Sequence, residues 1–199
     1  MFIPMIITAL AAYMLGSIPF AFLIVRAVKG VDVRTVGSGN VGATNAYRAA
    51  GLGWAAVIFF LDMLKGFACT FVPPLLFQDH AIYVIVAGSL SVILGHLFPL
   101  WLKFKGGKGA ATGLGVLCAL SPWGAASGFV VWFIVMKVSH YVSLATIVAA
   151  VYIAGFSFIY YTSPDRLAVN IFITVLCALV IFMHRSNIRR LIKGEENKV

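Results

Sequence analysis

Three segments of this 199-residue chain gather the side chains able to act on a charged, oxygen-rich substrate. The first, Val36 to Gly51, reads VGSGNVGATNAYRAAG. Its glycines allow successive backbone N–H groups to turn toward one anion. Ser38, Thr44, Asn45 and Arg48 add side-chain donors, and with Gly39 and Asn40 they form the candidate binding set of this segment. Gly37, Gly39 and Gly42 also spell G-x-G-x-x-G. A dinucleotide site needs a strand before that motif and a βαβ unit around it; an apolar run of membrane-helix length stands there instead, so a Rossmann site is excluded. A plain cytoplasmic loop is the competing reading, but a linker has no use for so many donors beside an arginine.

The second segment, Gly95 to Gly113, reads GHLFPLWLKFKGGKGAATG. Lys103, Lys105 and Lys108 surround Gly106-Gly107, and a helix is expected to start at about Gly109. The unpaired N–H groups and positive dipole end of such a helix make an anion seat. Lys105, Gly106, Gly107, Lys108 and Gly109 are its candidate residues, with Lys108 as the point charge. Gly109 stands where a Walker motif requires Ser or Thr, so nucleotide hydrolysis is not expected. A positive-inside loop accounts for Lys103 but not for the glycines. The third segment is HRSNIRRLIKGEE, His184 to Glu196. On a continuing helix, His184 and Asn187 share a face at i, i+3. A basic stop-transfer cluster explains Arg189 and Lys193 and leaves His184 and Asn187 unaccounted for.

Other polar residues lie inside apolar runs. Asp62 and Lys65 are spaced i, i+3 and can pair; intramembrane charges mark function by default, yet a neutralised pair can also serve only to hold helices together. His96 is open to two readings, a base or a hydrogen-bonded packing residue. His80 and His140 read as ordinary loop residues, and Cys69, Cys118 and Cys177 as packing residues with no disulfide or metal spacing. No metal site and no cofactor is expected.

These segments must be carried by membrane helices. Hydrophobic residues make up 62% of the chain and charged ones 11%, which places the whole of residues 1–199 in lipid as a single membrane-embedded domain. A bilayer core about 30 Å thick needs about 20 apolar residues per helix. Met1–Val25, Gly53–Phe77, Ala81–Leu102, Tyr141–Tyr161 and Leu167–Met183 supply 17 to 25 each, while Gly109–Leu120 and Trp123–Met136 supply only 12 and 14. Met1–Val25 lacks the positive start of a secretory signal and reads as a retained span. The positive-inside rule decides the parity. If both short helices cross, or form a re-entrant hairpin, 13 of the 15 cations face the cytoplasm, with Lys65 in the membrane and Arg166 outside. The expected architecture is therefore all-α and polytopic: seven membrane helices, the fourth and fifth short, the N-terminus outside and the C-terminus cytoplasmic. The +9 net charge then follows from topogenesis and anionic-lipid contact, not from nucleic-acid binding.

In order and spacing, GSGNVGATN, GHLFPLWLKFKGGKGAAT and HRSNIRRLIKG resemble the three cytoplasmic motifs of the bacterial acyl-phosphate:glycerol-3-phosphate acyltransferase family, as does the Ser17–Pro19 SIP segment. Val41 departs from a proline common in that family. The resemblance implies transfer of a fatty acyl group from acyl phosphate to the 1-hydroxyl of glycerol-3-phosphate at the bacterial inner membrane. It places Ser38, Arg48, Lys108, His184 and Asn187 at the phosphate and glycerol groups, with Lys105 and Gly106-Gly107 nearby. His184, Asn187 and Lys108 are then the catalytic candidates, acting by positioning and charge stabilisation. The partners it implies are acyl phosphate, glycerol-3-phosphate, membrane lipid and, transiently, a soluble enzyme that makes acyl phosphate. Two substrates with phosphate groups, one with an acyl tail, suit anion sites beside an apolar cavity. The base is open between a substrate phosphate oxygen and a histidine, His184 or His96. The rival from another class is a transporter or flippase for a phosphorylated solute; against it, no internal repeat links the two halves.

Overall fold

The structure, a computed structural model, describes residues 2–199, the side chain of Asp165 excepted, so the Met1 that opens the expected first span lies outside the described residues. No strand occurs among them. The chain divides into two compact units, Met1–Ala119 and Leu120–Val199.

The first unit contains α1 (Phe2–Gly16), α2 (Phe20–Lys29), α3 (Ala43–Ala50), α4 (Leu52–Phe71), α5 (Pro73–Leu76), α6 (Ala81–Leu97) and α7 (Ala110–Leu120), the last ending at the boundary. Between α1 and α2 the first span breaks at Ser17-Ile18-Pro19, because Pro19 has no N–H with which to continue the ladder. The helices approach closely through small residues, as association in lipid favours. A Cβ at Gly16 would run into the Val92 backbone, one at Gly95 into Tyr13 O, and one at Gly115 into Met63 O. Tyr13 Oη donates to Phe98 O at 2.8 Å, and Thr70 Oγ1 and Ser89 Oγ meet at 3.1 Å. Ala21, Val25, Val33, Val41, Ala46, Ile58 and Leu102 form an apolar cluster. That cluster joins α2, α4 and the first two cationic segments, so both segments stand on one packed base.

The second unit contains α8 (Pro122–Ser139), α9 (Val142–Tyr160), α10 (Leu167–Met183) and α11 (Arg185–Ile192). Trp132 Nε1 donates to Thr146 Oγ1 at 3.2 Å between α8 and α9, and Asn170 Nδ2 donates to Tyr161 O at 2.8 Å at the head of α10. Large apolar side chains such as Phe60 and Leu64 on α4 and Val151 and Ile159 on α9 are exposed, as lipid-facing positions should be.

Among the described residues, five helical segments are long and apolar enough to cross a membrane; α10 with α11, bent by 55°, makes a sixth if the pair is one span, and α7 is a shorter apolar helix. Two expectations change in detail. The fifth helix is not short: α8 has 18 residues, about 27 Å at 1.5 Å per residue. It opens with Pro122 at its first turn and absorbs Lys137 into its last, where the ammonium lies 5.6 Å from the Phe133 ring centre. The helix through His184 does not continue straight, since the 55° bend falls there.

Candidate active site

In the first unit, the first cationic segment is a loop wound around one buried amide. Asn45, 1% exposed on α3, accepts from Ser38 N at 3.0 Å and donates to Val33 O at 2.8 Å and Val36 O at 3.0 Å. Both amide protons are committed to the loop, so Asn45 shapes the segment from within. Gly37 and Gly39 take φ of 53° and 67° at the turn. An L side chain at Gly37 would also press on Asn45 Oδ1 and on Arg48 Cδ, so the glycine is what lets Arg48 lie against the loop. Ser38 is exposed, while Gly39, Asn40, Thr44 and Arg48 are partly exposed around it. Upstream, Asp32 accepts from Arg34 N and pairs with its guanidinium at 2.6 Å; those hydrogen bonds hold the Asp32 carboxyl at about 2.

The second segment folds back on the end of α6. Gly106 N donates to Leu97 O at 3.0 Å and Gly107 N to His96 O at 3.1 Å. The glycine pair thus serves a different end from the one its composition suggests: its amides are bonded to carbonyls of the protein. Its lack of side chains is what the packing requires, since a Cβ at Gly107 would strike the His96 ring and come within 2.8 Å of Val41 O. Val41, Gly106 and Gly107 line one small cleft with Ser17, Asp62 and His96, and there the first two segments meet. Gly109, at φ 80°, turns the chain into α7, so Lys108 sits one residue ahead of that turn. Lys105 is exposed and Lys108 partly so.

His96 is 8% exposed, with Nδ1 3.4 Å from Asp62 Oδ1. The same oxygen lies 2.7 Å from Lys65 Nζ, close enough to pair, although neither approach has good hydrogen-bond geometry. The expected Asp62–Lys65 pairing is therefore present and reaches further, to His96.

In the second unit, His184 and Asn187 are 5% and 6% exposed on either side of the bend that starts α11. His184 Nδ1 lies 2.8 Å from Val180 O. A carbonyl only accepts, so Nδ1 carries the proton and Nε2 is the basic nitrogen of the neutral ring. Asn187 Nδ2 donates to Glu196 Oε1 at 2.6 Å, and the same carboxylate accepts from Ser143 Oγ at 2.8 Å and Arg190 Nε at 2.6 Å. Burial works to raise the Glu196 carboxyl, but the donors Asn187, Arg190 and Ser143 outweigh it and hold it below the ordinary carboxylate range. Sequence reasoning missed both Glu196 and Ser143. An acidic pair ending a cationic segment was a signal for Glu196; Ser143, within an apolar run, offered none.

The family described as glycerol-3-phosphate acyltransferase matches residues 6–194. A glycerol-3-phosphate acyltransferase of Aquifex aeolicus (strain VF5) is 44% identical over 187 residues, 94% of this chain and 95% of the relative. One from Desulforamulus reducens is 40% identical, with 96% and 92% covered. Two crystal structures of PlsY (YgiH), an integral membrane glycerol 3-phosphate acyltransferase, superpose on the chain. Its glycerol 3-phosphate form has a TM-score of 0.88 at 42% identity, covering 98% of this chain and 95% of that one. Its lysophosphatidic acid form has 0.85 at 41%, covering 98% and 94%.

Proposed function

The chain belongs to the glycerol-3-phosphate acyltransferase family, and from that premise we propose that this membrane enzyme takes its acyl group from acyl phosphate. The product is then lysophosphatidic acid, the reaction lies at the cytoplasmic face of the bacterial inner membrane, and residues 1–199 act as one acyltransferase domain. The proposed topology has seven membrane helices, N-terminus outside and C-terminus inside.

The observation that carries the reading is the seating of Lys108 one residue ahead of the Gly109 turn into α7, where a cation and a helix N-terminus favour the same anion. Ser38, Thr44 and Arg48 are its counterparts in the first segment, and His184 and Asn187 are proposed to bind glycerol phosphate from the second unit. Acyl phosphate is a mixed anhydride with a good leaving group. The glycerol hydroxyl attacks the acyl carbon, the carbon–oxygen bond to phosphate breaks, and inorganic phosphate departs. The protein's task is to hold the reactants and stabilise charge on the phosphates. The hydroxyl proton goes to a phosphate oxygen or to His184 Nε2. His96 is the weaker base candidate, with Nδ1 toward Asp62 and its ring packed on Gly107. A soluble enzyme that makes acyl phosphate is the proposed transient partner.

The test uses the purified chain in detergent with glycerol-3-phosphate and either palmitoyl phosphate or palmitoyl-CoA. Lysophosphatidic acid is expected from the phosphate alone; product from the thioester alone would refute the proposed donor. A His184→Ala variant that kept most of its kcat at saturation would assign the base to substrate.

A further inference from the structure

Asp62 and Lys65, 2% and 3% exposed within α4, are a feature the proposed chemistry leaves unused. A buried ion pair adds little net stability for its desolvation, and in lipid it is costly to keep. Its surroundings are specific. Lys65 Nζ donates to Gly16 O at 3.0 Å and to Ile18 O at 3.1 Å, and Asp62 Oδ1 lies 2.7 Å away as its ion-pair partner. Gly16 ends α1 and Ile18 lies within the break in the first span, where Pro19 lacks an N–H, and backbone oxygens in lipid must be satisfied within the protein. Lys65 therefore caps the broken end of α1 from another helix, with a charge that suits a helix C-terminus.

From the other side, Asp62 Oδ1 approaches His96 Nδ1 at 3.4 Å. His96 accepts Gly107 N through its own carbonyl, while its ring occupies the space a Gly107 side chain would need. The contacts run unbroken from the SIP turn through Lys65, Asp62 and His96 to Gly107, the residue before Lys108. A pair serving only to join α4 to α1 has no need of the contact with His96.

We propose that Lys65, held by Asp62, is a positioning residue for acyl transfer, setting the Gly106-Gly107 bend and through it the place of Lys108. This rests on the reading of Lys108 as a phosphate-binding residue. If the pair were only a helix fastener, a well-packed apolar replacement would restore both stability and kinetics.

The experiment compares the wild type with the double variant Asp62→Leu/Lys65→Met, and with Lys65→Arg, Lys108→Arg and their combination. Each is purified in detergent and measured for thermal unfolding and for kcat and KM of both substrates. The double variant is expected to lose about 10²-fold in kcat/KM, as a displaced binding group does, and its unfolding midpoint shows whether it is folded under the assay conditions. The combined arginine variant should differ from the product of the single effects by more than about twofold, the limit for independent sites. Wild-type kinetics in a folded double variant overturns the proposal. So does strict multiplication of the arginine effects, which decides the matter even if the double variant does not fold. A wild type active only with acyl-CoA refutes the donor reading alone, and the same cycle is then run with that donor.

Discussion

The two compact units both keep polar side chains in fixed places, but by opposite means. In the first, order comes from the backbone and from absent side chains: Gly106 and Gly107 bond to the carbonyls ending α6, and the first loop closes on the buried amide of Asn45. In the second, one charge gathers the donors, with Glu196 holding Asn187, Arg190 and Ser143. A loop built on missing Cβ atoms has no room for an added atom, so it is sensitive to sterics. A carboxylate clamp tolerates changes of shape better but depends on ionisation, so it is sensitive to acid.

The contrast can be broken or sharpened by experiment. Lys108→Met should give the largest effect, a fall in kcat/KM of about 10²–10³-fold, as for loss of one preorganised charge-stabilising group. Steady-state kinetics checks it, and a loss below tenfold would move the main anion contact to another segment. Gly107→Ala should destabilise the first unit by about 1–3 kcal/mol through overpacking, seen as a lower melting midpoint in detergent. Gly53→Ala is its control, because nothing lies within 4 Å of a Cβ there. Equal midpoints for the two would remove the steric half of the contrast.

Asn45→Ala should come next, at about 1–2 kcal/mol for the lost loop hydrogen bonds; thermal unfolding again measures it, with a raised KM for a phosphate substrate as the functional sign. The smallest effect belongs to Glu196. Because its folded pKa lies below the ordinary 4.5, its contribution is fully present above pH 4.5 and is lost as pH falls through the lower folded value. Hydrogen exchange over residues 185–199 should accelerate in that window. Glu196→Gln should cost about 1 kcal/mol and abolish the pH dependence; an unchanged acid profile would show that the clamp does not depend on its charge.

Legibility in the sequence followed the range of the interaction. The membrane class, the positions of the spans and the three polar segments could all be read, because apolar runs and glycine–cation clusters are local. The ends of α8 could not. Lys137 looked like a boundary, yet a long cationic side chain in a last turn can lie along its own helix toward Phe133. Gly106-Gly107 was identified as special for the wrong reason: composition shows freedom to bend, not which carbonyls the amides will meet. Ser143 was invisible, since its partner lies 53 residues away.

The sequence by itself determined the solvent the chain folds in and which residue types face a phosphate-rich chemistry, since hydropathy and charge are sums over neighbours in the chain. Only the tertiary structure decided which donors are committed to the protein, as the amides of Gly106 and Gly107 are. That choice depends on partners brought together from distant positions, as Lys65 is with the carbonyls of Gly16 and Ile18, 49 and 47 residues away. Nothing in the spacing of Asp62 and Lys65 distinguishes a fastener from a positioning device; their third neighbour, His96, is supplied by the packing of α6 against α4.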